Sequence, residues 1–233
     1  MSARADGFDF KQFSVRHDRC AMKVGTDGVL LGAAAPLPAG CRVLDVGAGS
    51  GLLCLMAAQR GAASVVGVEI DAAAAEQARE NAAASPWADR IEIVCADIAH
   101  FQAAPFDVLL SNPPFFDRAL RAPEQRRTLA RHADTLGFPL LARATARLLA
   151  PCGTASIIIP VDREADLLGA MAAEGLFAAS LLRIQTKEQR PPKRAILTFD
   201  RRNCKTEMAN LTLFDSNGQK TEPYNALTRD FYL

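Results

Sequence analysis

The sequence predicts an α/β domain built on a largely parallel sheet. Short β-branched runs alternate with Ala- and Leu-rich stretches of helical length from about residue 42 to 200, the rhythm of parallel strands joined by crossover helices. A glycine turn stands between the first of those runs and the helical stretch after it. Neither an internal repeat nor a low-complexity tract breaks the alternation.

Taken in order, strands are expected at 43–46, 65–69, 91–95, 108–111, 155–160, 181–185 and 195–199, seven in all. Helices are expected at 51–60, 72–84, 138–149 and 163–174, each between two strands as a right-handed crossover requires. Residues 1–40 stand apart, mixing charge and aromatics before a short apolar helix that begins near Thr26, with Thr26 or Asp27 as its cap. The stretch after residue 200 is mixed, and 223–232 suggests a short terminal helix or a docked extension.

At 233 residues, 49% hydrophobic and 23% charged, the chain suits one large soluble domain and excludes a mainly disordered one. A formal net charge of +1 announces no polyanion partner, so any basic surface has to be local. Six cysteines occur without CxxC spacing, which disfavours zinc or a disulfide framework and suggests mostly buried thiols in a reducing compartment. His17, His100 and His132 have no ligand spacing, and no metal is expected. There is neither a leader-like start nor an apolar run long enough for a bilayer, so a cytoplasmic protein without a membrane partner is expected.

Val43-Leu44-Asp45-Val46 runs into Gly47-Ala48-Gly49-Ser50-Gly51 and then a helix. Glycines there let the backbone turn tightly and let a ligand reach main-chain N–H groups. The spacing is GxGxG rather than the GxGxxG that cradles a pyrophosphate, because the third glycine arrives one residue early. Glu69 closes the second strand, where a carboxylate accepts from both hydroxyls of a ribose. Asp97 follows the third strand, placed to accept from an adenine amino group, and Asp45 offers a negative partner to an ammonium or sulfonium. The ordered set resembles the class I S-adenosylmethionine-dependent methyltransferase pattern. That resemblance implies a Rossmann-like, seven-stranded, mostly parallel sheet with helices on both faces, its last strand antiparallel.

The fourth strand ends in Asn112-Pro113-Pro114-Phe115. Two prolines supply no N–H and fix φ, so the loop presents carbonyls stiffly while the Asn112 carboxamide adds another acceptor. Such acceptors suit an NH₂ group: bonds to the Asn112 oxygen and the Pro113 carbonyl would aim its lone pair at a methyl donor without a strong base. Phe115 would stack on a flat target. The tetrapeptide resembles the motif of methyltransferases acting on the amino groups of adenine, of guanine or of glutamine.

FDFKQFSVRHDRCAMKVGTDGVLLGA, LDVGAGSGLL, SPWADRI, SNPPF and the terminal YNALTRDFYL together resemble the bacterial methyltransferases that modify N6 of adenosine 37 in valine tRNA. The resemblance spans nearly the whole chain. It implies that residues 1–40 cover the pocket of a methyltransferase domain at 41–233, with Lys23, Gly25, Thr26 and Asp27 on the methionine end of the cofactor. Arg118, Arg121, Arg126, Arg127 and Arg131 follow the reaction loop, and Arg183, Lys187, Arg190, Lys193 and Arg194 precede the last strand. Both clusters suit the phosphates of a tRNA. Three alternatives stand beside this one. A protein-glutamine methyltransferase shares Asn112–Phe115 but is expected to carry a helical substrate domain before the glycine turn; an rRNA guanine-N2 methyltransferase shares the loop; a non-catalytic RNA-binding module keeps the fold alone.

Overall fold

A computed structural model describes residues 3–4, 6–114 and 137–233. Strands β1 (Ala3–Arg4), β2 (Gly7–Asp9) and β3 (Ser14–Arg16) form a small antiparallel sheet, followed by helix α1 (Thr26–Ala34). The alternating part runs β4 (Arg42–Val46), α2 (Leu52–Gln59), β5 (Ser64–Glu69), α3 (Ala72–Ala83), β6 (Ile91–Cys95) and β7 (Phe106–Ser111). After the undescribed stretch come α4 (Phe138–Leu148), β8 (Leu149–Pro160), α5 (Glu164–Ala173), β9 (Phe177–Lys187), β10 (Arg194–Asp200), β11 (Glu207–Phe214) and α6 (Glu222–Thr228).

Eight strands make the main sheet, in the order β11-β9-β10-β8-β7-β4-β5-β6. The seven expected strands are all present, and the seventh, β10, runs antiparallel to both of its neighbours. An eighth, β11, pairs parallel to β9 at the edge. Only Leu211 and Leu213 of β11 are buried, so it lacks the burial on both faces that marks inner strands such as β4.

Helices cover both faces. Val43, Val65 and Val108 turn toward α1, α2 and α3, whereas Leu44, Val66 and Leu109 turn toward α4 and α5. All of Leu52–Ala58 in α2 is buried, which is why that helix shows no polar stripe. It crosses α1 at Gly32, where a Cβ would lie 2.5 Å from Met56 Sδ.

The amino-terminal segment is part of the core. Phe10, Phe13 and Val15 join the cluster that holds α1 and α2. Phe13 meets Trp87 edge-on at 5.9 Å, and Phe10 stacks with Tyr232 at 6.2 Å. The Lys11 N–H donates to the Phe231 carbonyl at 2.9 Å, and Gln59 Nε2 donates to the Asp230 carbonyl at 2.8 Å. The terminal extension is thus docked, with α6 as its helix.

Two expectations are corrected. The cap of α1 is Gly25 in extended conformation, with no side-chain cap bond, so neither Thr26 nor Asp27 serves; the Asp27 carboxylate is engaged by Arg194 instead. Cysteines are not mostly buried: Cys41 and Cys54 are, but Cys95, Cys152 and Cys204 are exposed. Cys95 ends the edge strand β6, opposite Glu69 of β5.

Candidate active site

The sheet order places the ends of β4 and β7 side by side, the crevice in which open α/β sheets bind ligands. At the end of β4 the turn takes φ of 77° at Gly47, 53° at Gly49 and 79° at Gly51, the left-handed region that glycine alone enters cheaply. The Gly47 and Ala48 amides both donate to the Val68 carbonyl, anchoring the turn to β5. A Cβ on Gly51 would also lie 3.3 Å from that of Ala78, so α3 packs directly on the turn.

On the β7 side, Ser111 Oγ donates to the Val46 carbonyl at 2.8 Å and locks the two strand ends together. Asn112 follows at once, half-buried, with Pro113 buried and Pro114 exposed. A cavity of about 390 Å³ opens between Asn112 and the turn. Its wall brings together Lys23, Gly25, Thr26 and Asp27 with Gly47, Gly49 and Asn112.

Other expected residues stand outside that wall. Glu69 Oε2 accepts from the Gly49 amide at 2.8 Å and Oε1 from the Asp71 amide at 2.9 Å. Asp97 is half-buried at the end of β6, where Oδ1 accepts from the Ala99 amide at 2.8 Å. Gly51 starts α2 as its cap. Phe115 and Arg118, Arg121, Arg126, Arg127 and Arg131 lie outside the described residues.

Asp45 lies beneath the turn, buried to 1% exposure. Its Oδ2 accepts from Cys54 Sγ at 3.4 Å, and Oδ1 has no hydrogen-bond partner among the described residues. Burial pushes its pKa up to about 7, further raised by Glu69 and partly offset by the Cys54 contact. A buried carboxylate oxygen without a partner beneath the turn fits a site that receives an ammonium, and S-adenosylmethionine carries one.

Arg194 is the wall residue that pattern reasoning assigned elsewhere. Grouped with the basic residues before the last strand, it instead donates from Nε to Asp27 Oδ2 at 2.7 Å and lines the cavity. No local signal links the first residue of β10 to the first turn of α1. Arg183 is likewise taken up, by a two-point bond to Glu164 at 3.1 and 2.8 Å. Lys187, Arg190 and Lys193 are exposed.

The division of labour follows. S-adenosylmethionine, when bound, supplies an electrophilic methyl group. The turn, Glu69 and Asp97 offer N–H donors and carboxylate acceptors along three adjacent strand ends. Asn112 offers a carboxamide acceptor at the edge of the same crevice, where it can orient an amine without removing its proton.

A glycine turn facing an Asn-Pro-Pro loop across the central crevice, in a sheet whose seventh strand is reversed, makes the chain an S-adenosylmethionine-dependent methyltransferase of class I. Among solved structures it is similar to one from Agrobacterium tumefaciens described as a predicted O-methyltransferase, with a TM-score of 0.65 and 22% identity over 88% of this chain and 96% of that one. The model of the family described as "Methyltransferase small domain" matches residues 23–136. Proteins of Phocaeicola vulgatus and Bacteroides fragilis, both named tRNA1(Val) (adenine(37)-N6)-methyltransferase, are 50% and 44% identical, each covering 97% of both chains. The chain belongs to the tRNA1(Val) (adenine(37)-N6)-methyltransferase family.

Proposed function

We propose that the protein transfers the methyl group of S-adenosylmethionine to N6 of adenosine 37 in valine tRNA, acting in the cytoplasm. The observation that carries this is the position of Asn112 at the rim of the cavity that holds the glycine turn, an amine acceptor within reach of a methyl donor. An anticodon-loop adenine is already unpaired, so bringing it to this loop costs less unstacking than extracting a duplex base. The glutamine and guanine readings and the non-catalytic one are not favoured, since near-full-length relatives carry the adenine name. Asn112 with the Pro113 carbonyl orients the amine, and Phe115 stacks on the base. Lys23, Gly25, Thr26 and Asp27 close on the amino-acid end of the cofactor, Glu69 holds its ribose and Asp97 its adenine. The arginines at 118–131 grip phosphate.

The test is direct. Purified protein incubated with labelled S-adenosylmethionine and tRNA from a strain lacking the modification should place the label on N6-methyladenosine beside the valine anticodon. Label on guanine, or on a glutamine of a protein, would overturn the substrate while leaving the cofactor assignment intact.

A further inference from the structure

The two walls of the cavity come from distant stretches, the turn at 47–51 and the segment at 22–27, and buried polar contacts join them. Asn81 of α3 donates from Nδ2 to the Ser50 carbonyl at 2.9 Å and to the Arg16 carbonyl at 2.8 Å. Its Oδ1 accepts from the Arg16 amide at 2.9 Å, so the end of β3 is fixed to the turn. The next residue, His17, is only 6% exposed and accepts at Nδ1 from the Val24 amide at 3.2 Å. The His17 amide donates to the Asp6 carbonyl at 2.9 Å. Between them, Gln77 accepts from the Arg19 amide at 3.0 Å. Val24 stands between Lys23 and Gly25 and lines the cavity with them.

An imidazole nitrogen accepts a hydrogen bond only when it carries no proton. Protonated at Nδ1, His17 would present an N–H to the Val24 N–H in a buried place, and the loop would have to move to relieve it.

We propose that His17 is a positioning residue of the cofactor pocket: its neutral imidazole holds Val24, and with it the wall from Lys23 to Asp27, closed on the amino-acid end of the cofactor. This rests on the assignment of the cavity to that end of S-adenosylmethionine. The surroundings favour the neutral form. Burial lowers the His17 pKa first and the Lys23 ammonium next, while the carboxylates of Asp18 and Asp6 pull it back only in part. The α3 side chains nearby, Gln77 and Asn81, are neutral. The wall is therefore intact at neutral pH and loosens as pH falls through the lowered value.

The experiment measures calorimetric dissociation constants of S-adenosylhomocysteine for the full chain between about pH 5 and pH 8. His17→Asn keeps an acceptor near the Nδ1 position and cannot titrate in that range; His17→Ala removes the acceptor. Wild-type affinity should fall between pH 8 and pH 5, and by about twofold or more beyond the fall in His17→Asn at the acid end. His17→Asn should bind within about threefold of wild type at pH 8 and lose less affinity than wild type on acidification, keeping only the part due to Asp45, which titrates alike in all three proteins, whereas His17→Ala should bind about tenfold more weakly at pH 8. The ligand's own amino group titrates alike in all three. If His17→Asn keeps the wild-type acid loss, or if folded His17→Ala matches wild type throughout, the proposal is overturned; should His17→Ala not fold, the first comparison decides alone. A wild-type protein that binds no S-adenosylhomocysteine overturns the pocket assignment itself.

Discussion

The Glu69 carboxylate accepts the Gly49 amide at 2.8 Å, so the side chain expected to hold a ribose also pins the glycine turn to the end of β5. Removing it acts twice, on the ligand and on the shape of the turn. Glu69→Ala should weaken cofactor binding by about 1–3 kcal/mol, the scale of hydrogen bonds to a charged group. Glu69→Gln, which keeps one oxygen for Gly49, should fall between. Calorimetry checks both, and an unchanged dissociation constant in Glu69→Ala would move the ribose elsewhere.

Asn112→Ala should leave the cofactor dissociation constant within about threefold, because the turn and the other strand ends remain. Its turnover should drop by about 10²–10³, the cost of losing one well-placed polar group at a reacting centre. Single-turnover methylation of saturating tRNA beside cofactor calorimetry separates the two effects. Lost cofactor affinity in a folded Asn112→Ala protein would contradict its place on the acceptor side.

Asp45 carries a pH signature. Its pKa in the fold, about 7, is raised chiefly by burial, so the folded state holds a proton that the unfolded chain has already released. That contribution to stability is full below the unfolded value and is lost as pH rises through the folded one. Without cofactor, Asp45→Asn should therefore resemble wild type near pH 4 and exceed it near pH 8.5 by on the order of 1–3 kcal/mol. Saturating S-adenosylmethionine should narrow the difference by giving the carboxylate a cation. Chemical denaturation at both pH values tests this, and equal stability near pH 8.5 would mean that the carboxylate is satisfied by another donor.

Arg126 and Arg127 were assigned to RNA from the sequence. Changing both to alanine should raise the Michaelis constant for tRNA and reduce the slope of log affinity against log salt by about one to two, leaving cofactor binding untouched. A wild-type slope would put the RNA on another face.

What could be read in advance followed physical regularity. Strands such as 43–46 and 65–69 are buried on both faces and announce themselves by clusters of Val and Leu, with the carboxylates of Asp45 and Glu69 set at or near their ends. The turn and the Asn112 loop are legible because backbone geometry demands glycine in one and proline suits the other. The three short strands before residue 17 carry no alternation of their own; they exist because Phe10 and Phe13 have Trp87 and Tyr232 to pack against. Arg194 could not be told from its basic neighbours, since its partner Asp27 lies 167 positions away. The cap of α1 was misjudged for the same reason, because Asp27 serves a tertiary contact.

Phe10 and Lys11, just ahead of the strand that leads to His17, lean on Tyr232 and Phe231. A ribosome makes Phe10 and Lys11 more than 200 residues before those partners. During synthesis the amino-terminal segment therefore meets Asn81 and Trp87 first and its partners Phe231 and Tyr232 last, so its docking is completed in two separate stages.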